Sequence, residues 1–584
     1  MEKIIIKING VEITAQKGMT ILQAVWNAEK EMPYLEINIP TLYYLTGVQE
    51  EDLSGICVVE VVGKEELVGA WAEQVEDGME IFTESERVVQ ERIRVLKELL
   101  KEHDHDCVGC SRTTRCELQQ LLYRYNVEDE KERKYAAYEL DQGSIIVRDN
   151  NKCIHCQRCV AACSQVQSVC AIQAEEEDGK LVVRPANPKG LQATKCVNCG
   201  QCIASCPVGA LRERDDVDAV LEELRNPEKY VVVQTAPSVR AALGEEFGFP
   251  IGSDVEGRLP AALRALGFDR VFDTQFSADL TIMEEATEFI SRVQNGGILP
   301  LMTSCCPGWI KFCEHEYPDL LGNLSSCKSP HQMQGSVIKT YFASISGIRK
   351  EEIVVVSIMP CVAKKFEITR DDENGAGVPD VDYSLTTREL AEMLRREEIQ
   401  FEAMPSESFD DPLGKSTGAA VIFGATGGVM EAALRTAYEV LTKEELSNVE
   451  FQAVRGIEGV KESVVNIAGN DVHVAVVSGL ANARIVLDRV RNGEANYEFI
   501  EVMACPGGCV NGGGQPIQSA HVRGTTDLRV LRAQALYQND ENRTLRKSHE
   551  NPDIIELYEK YLEKPGSEIA HELLHTTYVD RSED

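Results

Sequence analysis

The chain has no run approaching the ~20 apolar residues that a membrane-spanning helix needs, so no span is expected in its 584 residues. It also lacks a signal-peptide core. Met1-Glu2-Lys3-Ile4-Ile5-Ile6-Lys7 alternates as a strand does, and a cytoplasmic location is expected. Basic residues are scarce, 60 against 95 acidic, and the formal charge of -35 disfavours nucleic acid or an anionic membrane as main partner. No low-complexity linker appears. No glycine-rich dinucleotide motif sits at a strand-to-helix turn, so nucleotide chemistry would belong to another subunit. Cysteine, in contrast, is abundant: twenty residues, many at two-residue gaps. In a long chain without an export signal this pattern points to metal ligation in a reducing compartment rather than to disulfides.

The length suggests about three to five domains. Residues 1–80 read as a small α/β unit: Ile4, Ile6 and Ile8 alternate, Asn9-Gly10 marks a hairpin, and Val11 to Thr14 returns as a strand. Thr20 begins a helix carrying Ile21, Leu22, Ala24 and Val25. Thr83 with Glu86 forms a capping-box pattern for a helix over 84–101, with Val89, Ile93, Leu96 and Leu100 on one stripe. Residues 81–142 hold a His/Cys group and 143–213 a repeated cysteine run. From 228 to 518 apolar strands, among them Tyr230–Val233, Ile353–Ile358, Val421–Phe423 and His473–Val477, alternate with helical segments. This predicts α/β lobes with largely buried sheets. Residues 519–584 read as a helical extension.

Cys153, Cys156, Cys159 and Cys163 form one Cys-x2-Cys-x2-Cys-x3-Cys run, and Cys196, Cys199, Cys202 and Cys206 form a second, with Pro207 following. This is the bacterial two-cluster ferredoxin spacing, in which the fourth cysteine of each run ligates the other run's 4Fe–4S cluster. Zinc is the alternative, disfavoured by the repeat and the proline. His103, Cys107, Cys110 and Cys116 suit either structural zinc or a third 4Fe–4S cluster with one imidazole ligand. Beside two ferredoxin-type runs the cluster is more economical. His105 is the competing imidazole.

Three further segments lie far apart: Thr303-Ser304-Cys305-Cys306-Pro307-Gly308-Trp309, Met359-Pro360-Cys361-Val362-Ala363-Lys364, and Glu501 to Gly514, which contains Cys505-Pro506-Gly507-Gly508-Cys509. Buried free thiols are the ordinary reading of scattered cysteines. Each of these, however, sits beside proline or glycine, where backbone approaches a bulky group, and Gly512-Gly513-Gly514 leaves space next to the last pair.

The three segments together resemble the signature motifs of [FeFe]-hydrogenases. The resemblance spans nearly the whole chain, including Asp273 to Glu285 and His571-Glu572-Leu573-Leu574-His575-Thr576. It implies a multidomain α/β and α+β protein with a degenerate plant-ferredoxin-like β-grasp domain at its start and a two-lobed catalytic domain. It implies that Cys306, Cys361, Cys505 and Cys509 hold a 4Fe–4S cubane, with Cys509 bridging to a two-iron subsite that carries CO, cyanide and an azadithiolate. Together these make the H-cluster. The resemblance also matches Lys364 and Ser238 to cyanide contacts, Met359 and Met503 to packing around the subsite, and Cys305 to a proton donor that is not a ligand. Glu285, Ser325 and Glu288 match the outward proton path. The implied reaction is reversible: two protons and two electrons give H2. Each residue has a bland alternative: Ser238 as a turn serine, Glu285 and Glu288 as one solvated helix face, Lys364 as a surface lysine.

The N-terminal stretch departs from relatives that carry a plant-type 2Fe–2S cluster. The matching ligand positions hold Tyr43, Ser54, Cys57 and Trp71, so the fold is expected without a 2Fe–2S cluster. Electrons would then enter through the His103 cluster or the ferredoxin-like pair. That suits a subunit of a larger assembly with ferredoxin-like electron-transfer subunits: a hydrogen-dependent CO2 reductase with a formate dehydrogenase subunit, or an NAD(P)-linked multisubunit hydrogenase. Maturation proteins would load the two-iron subsite. His331 stands where relatives often have glutamine near the subsite. Cys170, Cys313 and Cys327 are expected to be buried free thiols. Competing classes are an iron–sulfur assembly scaffold, an H2 sensor, and a respiratory-complex iron–sulfur subunit sharing only the N-terminal half.

Overall fold

A computed structural model describes residues 2–104, 106–128, 144–177, 179–467 and 469–583. His105 lies outside the described residues. The N-terminal unit is a five-stranded mixed sheet of β1 (Lys3–Ile8), β2 (Val11–Gln16), β3 (Val58–Val61), β4 (Val68–Gly69) and β5 (Glu80–Phe82), in the order β2-β1-β5-β3-β4. Asn9-Gly10 turns β1 back onto β2, and Ile4, Ile6 and Ile8 point inward at every second position. The helix Ile21–Glu31 covers that face, capped by a reciprocal Thr20–Gln23 box.

The next helix, Glu86–Leu99, is capped by Ser85 rather than Thr83. Thr83 is instead bound to Asn9: its N–H donates to Asn9 Oδ1 at 2.9 Å, and its Oγ1 accepts from Asn9 Nδ2 at 2.8 Å. A long-range pair thus takes the threonine that the local pattern assigned to the cap.

The cysteine repeat forms two small hairpin units, with β6 (Ile146–Arg148) paired to β9 (Leu211–Glu213) and β7 (Ile172–Glu177) to β8 (Lys180–Pro185). Both cysteine turns place the same two positions in the left-handed region: His155 and Gln157 at φ 55° and 64°, Asn198 and Gly200 at 57° and 75°. The same left-handed conformation at equal positions identifies the runs as two copies of one turn.

Beyond residue 228 lie β10 (Tyr230–Thr235), β11 (Arg270–Asp273), β12 (Leu301–Met302), β13 (Ile353–Met359), β14 (Tyr383–Thr386), β15 (Val460–Ile467), β16 (Asn470–Ser478) and β17 (Phe499–Met503). They build two four-stranded sheets, β11-β10-β13-β14 and β12-β17-β16-β15, parallel except for the β15–β16 hairpin. Every residue of β13 and β17 is buried, as strands covered on both faces require. Val421–Phe423, expected as a strand, closes the helix Gly418–Val421 and the turn Ile422–Gly424. A short apolar run has no period of its own, and here it packs between helices.

The C-terminal region carries the helices Leu528–Asn542, Pro552–Leu557 and Glu568–Leu574, and buried polar pairs tie the first two to the preceding domain. Arg532 meets Glu245 at 2.7 Å, Arg435 meets Asp540 at 2.8 Å, and Asn551 Nδ2 donates to Asp279 at 2.9 Å. Among the described residues no helix is long and apolar enough to cross a membrane.

Candidate functional site

Parallel sheets bind ligands where strands end at their carboxyl edges, and the cysteine segments emerge there. β12 runs into Thr303 to Cys306, β13 into Pro360-Cys361, β17 into Ala504-Cys505, and β10 into Ala236-Pro237-Ser238. Cys306 then precedes the helix Pro307–Glu316, whose first residue is proline. Residues separated by up to 271 positions in the chain are thereby neighbours. Ala504 N–H donates to Cys306 Sγ at 3.4 Å, and Cys509 Sγ meets Met503 Sδ at 3.9 Å. Burial pushes all four thiols, Cys306, Cys361, Cys505 and Cys509, upward, and their mutual proximity adds to this for the last three. Crowding and burial disfavour four bare thiolates here, and a positive metal group would hold them as thiolates.

The surroundings fit such a group. The Ser238 hydroxyl is buried without a partner in the polypeptide. Lys364 is buried with its Nζ 3.2 Å from Cys305 O, and is held by Glu367 at 2.8 Å. Burial alone would lower the Lys364 ammonium, but Glu367 and the nearby thiols raise it, so it stays charged. Glu367 itself falls to about 2 despite burial, because Lys364 and His331 face it. Met359 and Met503 are buried at the ends of β13 and β17.

His331 is not brought to the cysteines. Its Nδ1 is 2.7 Å from Glu367 and its Nε2 2.7 Å from Ser357 Oγ, and burial lowers its pKa. It reaches the site only by orienting the carboxylate that holds Lys364. Glu367 was not singled out from sequence. Its spacing of three from Lys364, one helical turn, was the available signal.

Burial pushes the Cys305 thiol upward, and the neighbouring Glu285 carboxylate adds to this, as do Cys306 and Cys509. Burial first, and Glu288 second, raise Glu285 to about 8. One of its oxygens has no partner in the polypeptide. Ser325 Oγ donates to Glu288 Oε2 at 2.9 Å and is also within hydrogen-bonding reach of Glu285. Glu288 is half-buried, fixed by Arg292 at 2.6 Å and by Ser326 N–H at 3.0 Å. Glu285 and Glu288 share the helix Thr274–Asn295 but differ in solvation, so the buried one holds its proton at neutral pH.

In the repeat, the fourth cysteines are exchanged. Cys163 lines one interior cavity with Cys196, Cys199 and Cys202, and Cys206 lines another with Cys153, Cys156 and Cys159. The first set adjoins the catalytic segments: Cys199 is close enough to Cys505 to raise its thiol. A Cβ on Gly308 would lie 3.8 Å from the Cβ of Cys199, and one on Gly513 would fall 2.6 Å from Gly200 Cα. These glycines let the two backbones approach. On the far side, Arg112 donates to Cys206 O at 3.0 Å, joining the second set to the loop of Cys107, Cys110 and Cys116. His103 Nδ1 is 3.0 Å from Lys152 O, which makes Nδ1 the protonated nitrogen and puts the ring's lone pair on Nε2. Among the described residues no three of these cysteine and histidine ligand atoms lie within 4.8 Å of one another. Ligands ~2.3 Å from a single zinc ion would have to.

Cys313 and Cys327 are buried thiols, whereas Cys170 is exposed, on a left-handed turn residue at φ 56°.

Comparison with known proteins agrees with this geometry. Residues 229–513 match the family of the iron only hydrogenase large subunit, C-terminal domain, and residues 526–581 match the iron hydrogenase small subunit. Residues 92–131 match the NADH-ubiquinone oxidoreductase-G iron-sulfur binding region, 152–210 a 4Fe-4S dicluster domain, and 1–86 a 2Fe-2S iron-sulfur cluster binding domain. The chain belongs to the [FeFe]-hydrogenases, oxidoreductases acting on H2, with accessory iron–sulfur domains for electron transfer. It is 48% identical to the NADP-reducing hydrogenase subunit HndD of Solidesulfovibrio fructosivorans over 100% of both chains. It is 42% identical to iron hydrogenase 1 of Clostridium pasteurianum over 98% of this chain and 99% of the other. The solved apo [FeFe]-hydrogenase HydA1 from Chlamydomonas reinhardtii is 41% identical, with a TM-score of 0.56, covering 63% of this chain and 99% of that one.

Two expectations are corrected. The N-terminal match places a 2Fe–2S cluster-binding domain in the chain, against the expectation of a variant and a cofactor set without 2Fe–2S. The full-length likeness to an NADP-reducing hydrogenase subunit replaces the hydrogen-dependent CO2 reductase reading. The departure is confined to four ligand positions, whereas the likeness to the domain extends over residues 1–86. Cys57, the single cysteine of residues 1–86, is buried there, and Trp71 N–H points at its thiol. Ser54 bonds Asp52, and Tyr43 Oη donates to Ile154 O at 2.7 Å, beside Cys153 and Cys156.

Proposed function

We propose that Cys306, Cys361, Cys505 and Cys509 hold the cubane of an H-cluster, with Cys509 adjoining its two-iron subsite. The convergence of four thiols from three strand ends, with Cys305 and Glu285 alongside, carries this reading. When bound, the H-cluster supplies the redox chemistry that makes or breaks H2. The chain's own residues bind, orient and deliver protons. Lys364, kept charged by Glu367, and the Ser238 hydroxyl offer donors to cyanide, while Met359 and Met503 exclude water. Inward, a proton passes from Glu288 through Ser325 to Glu285 and on to Cys305 Sγ. A thiol suits this last position because its reference pKa, about 8.5, is far nearer neutrality than an alcohol's. Glu285 at about 8 is poised to give and retake a proton near working pH.

Three accessory 4Fe–4S clusters would supply electron transfer when bound. Their ligand sets run in order from His103/Cys107/Cys110/Cys116 to Cys153/Cys156/Cys159/Cys206 to Cys163/Cys196/Cys199/Cys202. The domains would be 1–80, 81–142, 143–213, 228–518 and 519–584. The partner would be an electron-transfer subunit serving a nicotinamide nucleotide, by likeness to the NADP-reducing relative. Twenty unpaired thiols suit a reducing cytoplasm.

Replacing Cys305 by Ala in matured protein tests the relay. H2 turnover should fall at least 100-fold with every cluster EPR signal retained. Undiminished turnover would remove Cys305 from the path.

A further inference from the structure

Gln167 ends the wide helical turn Ala162–Val166 that carries Cys163. Its side chain is 1% exposed, yet neither its amide nitrogen nor its oxygen has a hydrogen-bond partner in the polypeptide. A protein keeps a dry amide unsatisfied only where something other than its own chain satisfies it. This amide lies on the wall of the cavity lined by Cys163, Cys196, Cys199 and Cys202. Apart from Gln201, the rest of that wall is apolar, and Gln201 is engaged with Asn511 O at 2.9 Å. The cavity therefore offers Gln167 sulfur alone. Sulfide and thiolate sulfur accept but do not donate, so they select the amide's nitrogen edge.

We propose that Gln167 donates Nε2–H to sulfur of the 4Fe–4S cluster held by Cys163, Cys196, Cys199 and Cys202, and so raises that cluster's reduction potential. The inference rests on the cluster reading above. One-electron reduction spreads negative charge onto the sulfurs, and a fixed donor stabilises the reduced form more than the oxidised one. In a dry site this preference is strong. The other cavity is served differently, by the cationic Arg148, whose guanidinium bonds Val183 O and faces Cys153. The two repeats, alike in backbone, thus differ in the polar group each presents. The neutral amide falls on the cluster next to Cys505, the last station before the catalytic cubane.

Potentiometric EPR titration of matured protein, native against Gln167→Met, tests this. Methionine keeps length and removes both donors. One cluster's reduction equilibrium should become about tenfold less favourable, about 59 mV for one electron, with the others unmoved. In native protein labelled with side-chain 15N-glutamine, the same cluster's signal should carry a nitrogen coupling that Gln167→Met removes. Unmoved midpoints at full iron content overturn the proposal. If Gln167→Met fails to load the cluster, the native coupling decides: its presence supports the proposal and its absence overturns it. A native protein whose iron content and EPR lack this cluster altogether would instead overturn the underlying cluster reading.

Discussion

Glu285→Gln separates proton transfer from structure at a single atom. The side chain keeps its size in a fully buried position but can no longer release a proton. Glu285 titrates near 8 against an ordinary 4.5, chiefly from burial and then from Glu288, so at pH 7 it is mostly protonated and still exchangeable. Losing a positioned acid–base group costs ~100- to 10,000-fold in rate, or roughly 3 to 5 kcal/mol of barrier. The same shift has the opposite sign for stability. Between pH 4.5 and 8 the folded state holds a proton that the unfolded state has released. Wild-type stability therefore falls as pH rises through that window, by at most ~5 kcal/mol. Glu285→Gln escapes this loss. Matured variant should show H2 oxidation down at least 100-fold, an unchanged cubane EPR signal, and greater resistance to thermal inactivation than wild type at pH 9. The advantage should disappear toward pH 4. A variant within a few-fold of wild-type turnover would refute the relay, and one less stable at pH 9 would refute the buried, protonated carboxyl.

Other perturbations address the site's supports. Lys364→Met leaves Glu367 buried without its cation and should destabilise by roughly 3 to 5 kcal/mol. Adding Glu367→Gln should restore the unfolding midpoint without restoring H2 turnover. Arg158 is buried, bonding Tyr44 O at 2.8 Å and Glu117 at 2.8 Å. Arg158→Leu should loosen the N-terminal domain, seen as faster proteolytic removal of about 80 residues' worth of chain. Gly513→Ala forces a methyl against Gly200 Cα. It should slow electron exit from the catalytic cubane, seen as slower H2-dependent reduction of the accessory clusters by stopped-flow, with H2/D2 exchange retained.

What the sequence made legible follows from what spacing encodes. A cysteine run with fixed gaps is a local object, and the exchange of Cys163 and Cys206 between its two halves follows from one tight turn used twice. The catalytic cysteines are not local. Their segments stood out, but only the parallel sheets bring Cys306, Cys361, Cys505 and Cys509 to neighbouring strand ends. Glu367 was missed because its role depends on Lys364 and His331 arriving from different elements. Thr83 lost its expected cap to Asn9, 74 positions away. Val421–Phe423 is helical because apolar content without a period leaves the choice to packing. The identity of the N-terminal domain is spread over the whole of residues 1–86 and is not carried by four ligand positions.

The most direct test of the central claim is anaerobic H2 oxidation with a viologen acceptor by matured protein, with iron content and EPR recorded on the same sample. The account predicts H2-dependent dye reduction, abolished in Cys509→Ser. Fully loaded clusters without H2 turnover would contradict it and favour a sensor or scaffold.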